Sequence, residues 1–442
     1  MEKMIIGIKE RPSLPKWIFL SFQHVFAMFG ATILVPMATG LPISVALFSS
    51  GVGTLIYILC TKAKVPVYLG SSFAYIGVIA AVSGFADGGP TNYASAMTGL
   101  FAVGIIYVII AVIIKFAGTK WLHKALPPVV IGPMIMIIGL GLSSVAVSSS
   151  GLQGGSWQEI VVAMFAFLVV IIVAIFSKGF LKIIPFLMGI VGGYILAVIL
   201  GVVDFTSVTN VIEAPSSWFK IPEFMFLSWK DSTVNVLGTD ITFMKINLTA
   251  ILTIAPLAFV TAAEHIGDHA VLSKICDQDF FTDPGLDKTL MGDGLATAFA
   301  AMIGGPANTT YGENTSVVGM TRVASVYVTG GAAVIAILLS FINLFTTLVA
   351  TIPASVMGGM SIILYGFIAA NGLKVLIDNK VNLGSMRNII IVASMLVIGL
   401  GKAAINIGTF SLYDMSLAAL IGIILNFALP KEKNPSAPLS NN

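Results

Sequence analysis

The stretch LTAILTIAPLAFVTAAEHIGDH, residues 248–269, joins an apolar run to a group of ionisable side chains. Its first two thirds carry no charge, and Glu264 and Asp268 follow directly. A second glutamate, Glu313, lies in apolar surroundings inside NTTYGEN, residues 308–314. A carboxylate in the middle of a bilayer costs about 2.5–3.5 kcal/mol on insertion scales and rarely occurs there without a function. The two glutamates therefore indicate a polar substrate or ion that binds within a membrane.

The composition places most of the chain in a membrane. The 442 residues are 57% hydrophobic and 10% charged, with a mean hydropathy of +1.00, whereas soluble domains carry about 25% charged residues. Many apolar stretches approach the ~20 residues that a helix needs to cross ~30 Å of hydrocarbon. Backbone polar groups in lipid must be satisfied within the protein, and no barrel-like alternation is present. The sequence therefore predicts an all-α polytopic membrane protein.

Joints rich in glycine and proline predict fourteen transmembrane segments. The first seven cover residues 17–38, 43–61, 66–84, 92–116, 128–147, 158–176 and 184–202. The second seven cover residues 247–267, 286–303, 308–328, 330–350, 353–376, 388–402 and 412–428. A long polar stretch, residues 204–245, separates the two sets. An odd number of segments per set gives the halves opposite orientations, which predicts two inverted repeats of seven.

The basic residues orient these segments. With the N-terminus in the cytoplasm, all but four of the 23 Lys and Arg residues fall on the inner side, and the outer side receives Lys220, Lys230, Lys245 and Lys402. This asymmetry predicts a multi-pass protein of the cytoplasmic membrane with both termini inside. The net charge of +3 gives no indication of nucleic-acid binding. No small-residue cleavage site follows the first apolar run, so we expect that helix to be retained.

Short extended pieces interrupt segments 3 and 10. VPVYLGSS (residues 65–72) and GGPANTT (residues 304–310) each combine proline with small polar residues ahead of a half-helix, which begins at Phe73 or Tyr311. Extended backbone at membrane depth is tolerated only where it lines a cavity or pairs with another segment. We expect the two pieces to pair as antiparallel strands, so that both half-helices direct free N–H groups into one site. The alternative is that both pieces are ordinary loops.

A site with two carboxylates, backbone amides and aromatic rings suits a flat, polar, uncharged heterocycle. A carboxylate accepts hydrogen bonds from ring N–H groups, and a protonated carboxyl also donates to a ring carbonyl. Phe73 and Tyr311 are suited to cover the ring faces. Burial favours the protonated form of a carboxyl, so we expect Glu264 or Glu313 to carry a proton. Such a proton is what a proton-driven symporter needs.

Other readings of the same residues stay open. Either glutamate could serve packing alone, and His24 and His265 could satisfy hydrogen bonds between helices. Asp268, one turn beyond Glu264, could relay a proton or be solvated. His265 and His269 have the i, i+4 spacing of two zinc ligands, which would suit an intramembrane metallohydrolase. The zincin motif requires glutamate where Ile266 stands, and the chain has only four histidines, so we predict no metal site and no cofactor. A passive channel is a further alternative.

Five stretches resemble the nucleobase–ascorbate (nucleobase:cation symporter-2) transporters, and most closely the bacterial uracil permeases. They are QHVFAMFGAT (residues 23–32), VPVYLGSSFA (residues 65–74), AEHIG (residues 263–267), DPGL (residues 283–286) and NTTYGEN (residues 308–314). The resemblance extends over nearly the whole chain. It implies fourteen segments in two inverted sets and import of uracil with a coupled proton, or sodium, by alternating access. It also implies a homodimer in membrane lipid.

The resemblance further implies a division into two domains that move against each other. The core domain would comprise residues 17–118 and 247–350, and the gate domain residues 124–203 and 353–429. An extracytoplasmic linker, residues 204–246, would connect the two halves. The substrate would lie between the strands of segments 3 and 10.

The resemblance assigns roles residue by residue. The implied substrate-binding residues are Glu264, Glu313, Phe73, Tyr311, Gly312, Ser72 and Ala31. The implied proton-coupling residues are Glu264, Asp268 and His265, and Tyr365 would face the site from the gate. Asp268 departs from the uracil-permease pattern, which has histidine there, and is similar to the purine-transporting branch. A xanthine or urate symporter of the same family is therefore the alternative substrate assignment.

Overall fold

The computed structural model of the chain describes residues 4–85, 91–407 and 410–430. Its α-helices, in chain order from α1 to α19, are Leu14–Thr39, Ile43–Cys60, Ile76–Ser83, Tyr93–Ala117, Lys120–Ala125, Pro128–Gly141, Ser143–Ser149, Trp157–Phe176, Pro185–Ile199, Thr206–Glu213, Thr249–Ile254, Leu257–Cys276, Leu286–Met302, Gly312–Thr321, Val326–Ser340, Asn343–Ala350, Ala354–Asp378, Met386–Leu400 and Asp414–Ala428. The strands, β1 to β7, are Leu69–Ser71, Met225–Ser228, Ser232–Val236, Thr239–Lys245, Asn308–Thr310, Ala404–Ile407 and Phe410–Tyr413. The outermost parts of both predicted cytoplasmic termini lie outside the described residues.

The described helices fit a multi-pass membrane protein. Six spans are long and apolar enough to cross a bilayer, namely α1, α2, α4, α8, α17 and the α6–α7 pair. Five shorter apolar helices accompany them, at Phe73–Ser83, α9, α15, α18 and Met415–Ala428. The remaining predicted segments, the eighth to the tenth, contain α11 to α14, and three of these helices carry ionisable residues. The count of fourteen and the inverted repeat stay predictions.

Three helix breaks depart from the predicted boundaries. The eighth segment divides at Ala255 and Pro256 into α11 and α12, because proline lacks the N–H that a helix interior needs. In the tenth segment α14 ends at Arg322, which adopts a left-handed conformation. The N-terminal stretch binds this turn through the N–H of Ile5, which donates to the carbonyl of Arg322 at 2.8 Å. In the eleventh segment the N–H of Asn343 donates to the Trp218 carbonyl at 2.8 Å where α15 gives way to α16.

The polar stretch between the two halves folds as a small sheet that was not predicted. Strand β4 pairs in parallel with β2 and antiparallel with β3. The turn between β3 and β4 has positive φ angles at Leu237 (51°) and Gly238 (80°). Two positive φ angles in a two-residue loop match the twist of a hairpin. The amide of Asn235 also donates to Asp240 across this hairpin at 2.8 Å.

Helices from the two halves of the chain pack against each other. Helix α13 lies against α2 and α4, and α15 lies against α1 and α2. Helix α17 packs on α6, α7 and α8, while α18 packs on α6 and α19. Small residues allow the closest of these contacts. A Cβ at Gly104 of α4 would lie 2.5 Å from the Ala298 nitrogen and 2.6 Å from the Gly294 carbonyl oxygen of α13.

Strands β1 and β5 form a two-stranded antiparallel sheet inside the helix bundle. The register pairs Leu69 with Thr310, Gly70 with Thr309, and Ser71 with Asn308. All six residues are buried. One further backbone bond closes each end, from the N–H of Ser72 to the Ala307 carbonyl (2.8 Å) and from the N–H of Tyr311 to the Tyr68 carbonyl (3.1 Å). The two segments that were predicted to contain extended pieces are therefore tied to each other at this sheet.

We predict that Gly104→Ala destabilises the protein, because the new methyl group would meet fixed backbone of α13. Overpacking of this kind costs about 1–3 kcal/mol, which appears as a lower melting temperature in detergent. The matched control is Gly330→Ala, where the nearest atom to an added Cβ is a side-chain carbon of Ile58 at 3.5 Å. Equal melting temperatures for the two variants would contradict the close α4–α13 contact.

Candidate functional site

Side chains of α2 and α13 hold the β1–β5 sheet in place. The Ser50 hydroxyl donates to the Leu69 carbonyl (2.8 Å), and the Leu69 N–H donates to the Thr54 hydroxyl (2.9 Å). The Asn308 amide donates to the carbonyls of Ser49 and Ala296, each at 3.2 Å. These bonds satisfy polar groups that would otherwise cost about 1–3 kcal/mol each when buried. The sheet is thus a fixed platform from which the following half-helices start.

Both half-helices begin without a side-chain cap. The chain passes from β1 through a single 3₁₀ turn, Phe73–Tyr75, into α3, and from β5 directly into α14. Neither Ser72 nor Tyr311, which precede these turns, makes a side-chain capping bond. The first N–H groups of a helix have no partner within the helix and carry partial positive charge. Glu313 lies in this first turn of α14, so the helix start contributes both donors and a carboxyl.

Three acidic side chains come together beside this platform. Glu264 and Asp268 lie one turn apart on α12, and Glu313 lies on α14. All three are half-buried and close enough to interact electrostatically with one another. Strand β5 holds one of them directly, since the Thr310 hydroxyl donates to Asp268 Oδ2 at 2.5 Å. The two acids singled out in the sequence therefore belong to one cluster.

Phe73 and Tyr311 differ in how much of the aromatic ring remains accessible. Phe73 is half-buried and packs on the apolar cluster that contains Ala31 and Tyr311. Tyr311 is 3% exposed, and its hydroxyl donates to the Ser71 carbonyl (3.0 Å) and accepts from the Thr32 hydroxyl (3.2 Å). Its side chain therefore supports the sheet, while the Phe73 ring keeps an accessible surface.

Three glycines on the helices of this region have open surroundings. A Cβ added at Gly77 of α3, Gly267 of α12 or Gly312 of α14 meets no atom within 4 Å. All three glycines are exposed, and Gly267 and Gly312 are direct neighbours of Asp268 and Glu313 in the chain. The half-helix and α12 therefore present open backbone next to their carboxyl groups.

A separate cavity of about 590 Å³ lies away from the acids. Its walls include the Lys220–Glu223 ion pair (2.8 Å) and polar side chains of α10 and α16. None of the predicted site residues lines this cavity.

Tyr365 lies on α17 and is 2% exposed. It belongs to an apolar cluster that also contains Ile33 of α1 and Ile76 of α3.

Ser72, which follows strand β1, is 1% exposed, and its hydroxyl has no hydrogen-bond partner among the described residues.

The structure shows the hydrogen bonds of His24 and His269, which their positions in the sequence did not predict. His24 accepts the Asn314 amide at 3.1 Å between α1 and α14. His269 Nδ1 donates to the His265 carbonyl (2.8 Å), so its Nε2 accepts from the Tyr57 hydroxyl at 2.5 Å. Both ring nitrogens of His269 are therefore in use, and none is free for a metal ion. Among the described residues no cluster of three or more His, Cys, Asp or Glu has the arrangement of a metal site.

Three residues of this region were not singled out in the sequence. They are Thr310, which holds Asp268, Asn314, which holds His24, and Asp293, which contacts His265 at 2.8 Å. Asp293 lies in the apolar stretch MGDGLATAFA, residues 291–300. The rule that drew attention to Glu264, an acid within a membrane segment, would have found it as well. Thr310 and Asn314 have no such signal, because their partners are distant in the chain.

Comparison with known proteins agrees with this architecture. A family model described as Permease family matches residues 15–408. The uracil permease of Bacillus subtilis (strain 168) is 46% identical, with 99% of this chain and 98% of that protein aligned. The uracil permease of Escherichia coli (strain K12) is 38% identical, with 96% and 94% aligned.

A solved structure shares the fold at much lower identity. The transmembrane domain of the cyanobacterial bicarbonate transporter BicA superposes with a TM-score of 0.61 at 14% identity, over 96% of this chain and all of that one. The family match covers most of this chain, and both uracil permeases align over almost the full length of both proteins. This chain therefore belongs to the nucleobase–ascorbate (nucleobase:cation symporter-2) family of permeases.

Proposed function

We propose that this protein imports uracil together with a proton across the cytoplasmic membrane. The convergence of Glu264, Asp268 and Glu313 beside two uncapped half-helices supports the proposal most directly. Relatives that align over almost the whole chain are named uracil permeases. Three acids near one another in an apolar bundle repel unless protons or a ligand relieve the charge. A ligand that offers N–H groups, and a proton, would do so.

The site chemistry matches the two edges of a pyrimidine-dione ring. Ionised Glu264 and Glu313 would accept from the two ring N–H groups. The free N–H groups at the start of α14, including that of Gly312, and the N–H groups that follow Ser72 would donate to the ring carbonyls. The exposed surface of Phe73 would cover one ring face, with Ala31 packed behind it. Tyr311 would act by holding the sheet through its hydroxyl and its backbone N–H.

Transport would follow from a movement of core against gate. The core, residues 17–118 and 247–350, would carry the strand pair and the acids. The gate, residues 124–203 and 353–429, would present Tyr365. The contacts between these sets include the cluster of Tyr365 with Ile33 and Ile76. Such apolar contacts have no directional bonds, which suits surfaces that slide. The extracytoplasmic linker, residues 204–246, would connect the halves, and the protein would work as a homodimer.

Proton coupling would rest on the ionisable residues of α12. Glu264, Asp268 and His265 are the candidates, because all three lie within the bundle and within electrostatic reach of other acids. A proton that is bound to the protein whenever the substrate is bound would cross the membrane together with the substrate. Sodium is the alternative coupling ion.

The alternative substrate is a purine such as xanthine or urate, and the presence of Asp268 is the observation that favours it.

We predict that unlabelled uracil abolishes the uptake of labelled uracil in proteoliposomes, while most of the uptake remains in the presence of the same concentration of xanthine or urate. A purine has a second ring that must fit between the strand pair and Phe73. Stronger competition by xanthine than by uracil would replace the uracil assignment with the purine one.

We predict that Glu264→Gln and Glu313→Gln each weaken uracil binding. Glutamine keeps the size but loses the charged acceptor, and a hydrogen bond to a charged group contributes about 1.5–3 kcal/mol, roughly 10- to 100-fold in Kd. Isothermal titration of purified protein measures this. The matched control is Glu213→Gln, an exposed residue at the end of α10. Affinity like that of the wild type in either variant would remove that glutamate from the site.

We predict that Thr310→Val impairs uracil uptake more than Thr309→Val. The Thr310 hydroxyl holds Asp268 at 2.5 Å, whereas the buried Thr309 hydroxyl has no partner among the described residues. Loss of the Thr310 bond would leave Asp268 free to turn away from β5, at a cost of about 1.5–3 kcal/mol. Thr310→Ser, which keeps the hydroxyl, should restore uptake. Equal uptake by the two valine variants would exclude a role for this contact.

A further inference from the structure

The extracytoplasmic linker, residues 204–246, is hydrogen-bonded to the joint between α15 and α16. Phe219 of the linker and Ile342 of the joint form an antiparallel bridge. On each strand, the N–H that follows the bridge residue donates to the carbonyl that precedes its partner, at 2.8 Å from Asn343 and at 3.0 Å from Lys220. The linker therefore adds a short strand to a joint that belongs to the predicted core.

Side chains reinforce this attachment. The amide of Asn343 donates to the Ser217 carbonyl at 2.8 Å. The Phe48 ring of α2 meets two other rings edge-on, that of Phe224 in the linker (5.0 Å between centroids) and that of Phe341 at the joint (5.8 Å). Helix α10 of the linker also packs on α16. Backbone bonds, an amide and aromatic rings thus hold the same two parts of the chain together.

The linker sheet is attached to two further core helices. The N–H of Met225, at the start of β2, donates to the Ile303 carbonyl just after α13, at 3.2 Å. Met244 of β4 belongs to the apolar cluster that contains Leu100 of α4 and Ala301 of α13, and Met225 packs against this cluster. Strands β2 and β4 therefore both bury side chains against the core.

The bonds of the linker are distributed unequally between core and gate. Among the described residues, every hydrogen bond that leaves the linker connects it to the core, through Ile303, Phe341 or Asn343. Toward the gate, the ring of Phe205 contacts that of Tyr194 in α9, with 6.5 Å between centroids. The linker is therefore bonded to one of the two predicted bodies and only touches the other.

A short joint, residues 202–205, connects α9 of the gate to α10. Helix α9 is followed by a glycine with positive φ, Gly201 (70°), and the next N–H returns to the Ala197 carbonyl at 2.9 Å. Helix α10 begins at Thr206, whose N–H donates to the Asp204 carboxylate at 2.9 Å. Local bonds close both helix ends, and residues between such ends are where hinges absorb changes in φ and ψ.

We propose that the linker from Thr206 onward moves with the core as one body, and that the chain bends at residues 202–205 when the core moves against the gate. The inference rests on the proposed function and makes the linker a fixed cover of the core instead of a slack tether. A linker that stayed with the gate would break the backbone bonds at Ile303 and at the Phe219–Ile342 bridge in every cycle. Bending at the joint breaks none of them.

The test fixes the linker to the core with a disulfide, in protein whose native Cys60 and Cys276 are replaced by alanine. Phe219→Cys is combined with Ile342→Cys, because this bridge pair has no hydrogen bonds between its own two residues. Cα atoms in such pairs lie about 4.5 Å apart, within the range that a disulfide spans. We expect the oxidised variant to take up uracil in proteoliposomes at the rate of the same variant after reduction with dithiothreitol.

The matched control fixes the core to the gate. A Cβ added at Gly30 of α1 would lie 3.7 Å from the Cβ of Phe186 in α9, which is a separation that a disulfide bridges. Oxidised Gly30→Cys with Phe186→Cys should take up no uracil, and reduction should restore uptake. Mass spectrometry confirms that each disulfide has formed. Uptake by the oxidised control overturns the movement of core against gate, and this inference with it.

A different result overturns the inference alone. It is loss of uptake in the oxidised Phe219→Cys and Ile342→Cys variant that reduction reverses, while the control behaves as expected. If that variant takes up no uracil even when reduced, hydrogen exchange of the wild type decides. The amides of Lys220 and Asn343 should exchange equally slowly with and without uracil. Faster exchange of both in the presence of uracil overturns the inference.

Discussion

The rest of the site depends on one requirement, that extended backbone inside an apolar bundle must find partners for its polar groups. Strands β1 and β5 meet it by pairing with each other, by accepting a hydrogen bond from α2 and by donating one to α13. The pairing brings two segments from opposite halves of the chain to one place. It thereby fixes where α3 and α14 begin and where their free N–H groups point. The carboxyl of Glu313 is positioned as a consequence.

Helix α12 adds the second element, because its polar residues follow two different helical rows. Glu264 and Asp268 lie on the row that reaches the open space at Gly267. Thr261, His265 and His269 lie on the row that enters the bundle. A single helix thus carries two acids beside open space and, on a neighbouring row, a buried set of hydrogen-bonded polar side chains.

The regular segments of the fold followed from apolar length. Helices α1, α4 and α17 begin and end within three residues of the predicted segments, because a run of apolar residues long enough to cross lipid has no other stable state. The breaks were harder to predict. Pro256 divides α11 from α12 for a local reason. The breaks at Arg322, after α14, and at Asn343, where α16 begins, involve bonds to residues far away in the chain. The linker sheet is also held by pairings between distant strands.

The sequence by itself determined that this is a helical membrane protein of the permease family with acids in apolar segments, because composition and motif are local properties. Its resemblance also indicated Glu264, Glu313 and Phe73 as neighbours of a substrate. Only the tertiary structure decided that Thr310 holds Asp268 and that His265 faces Asp293. These contacts join residues 28 and 42 positions apart, and the direction of a side chain on a helix depends on what packs against it. Burial of the His265–Asp293 pair is a property of the bundle, not of either residue.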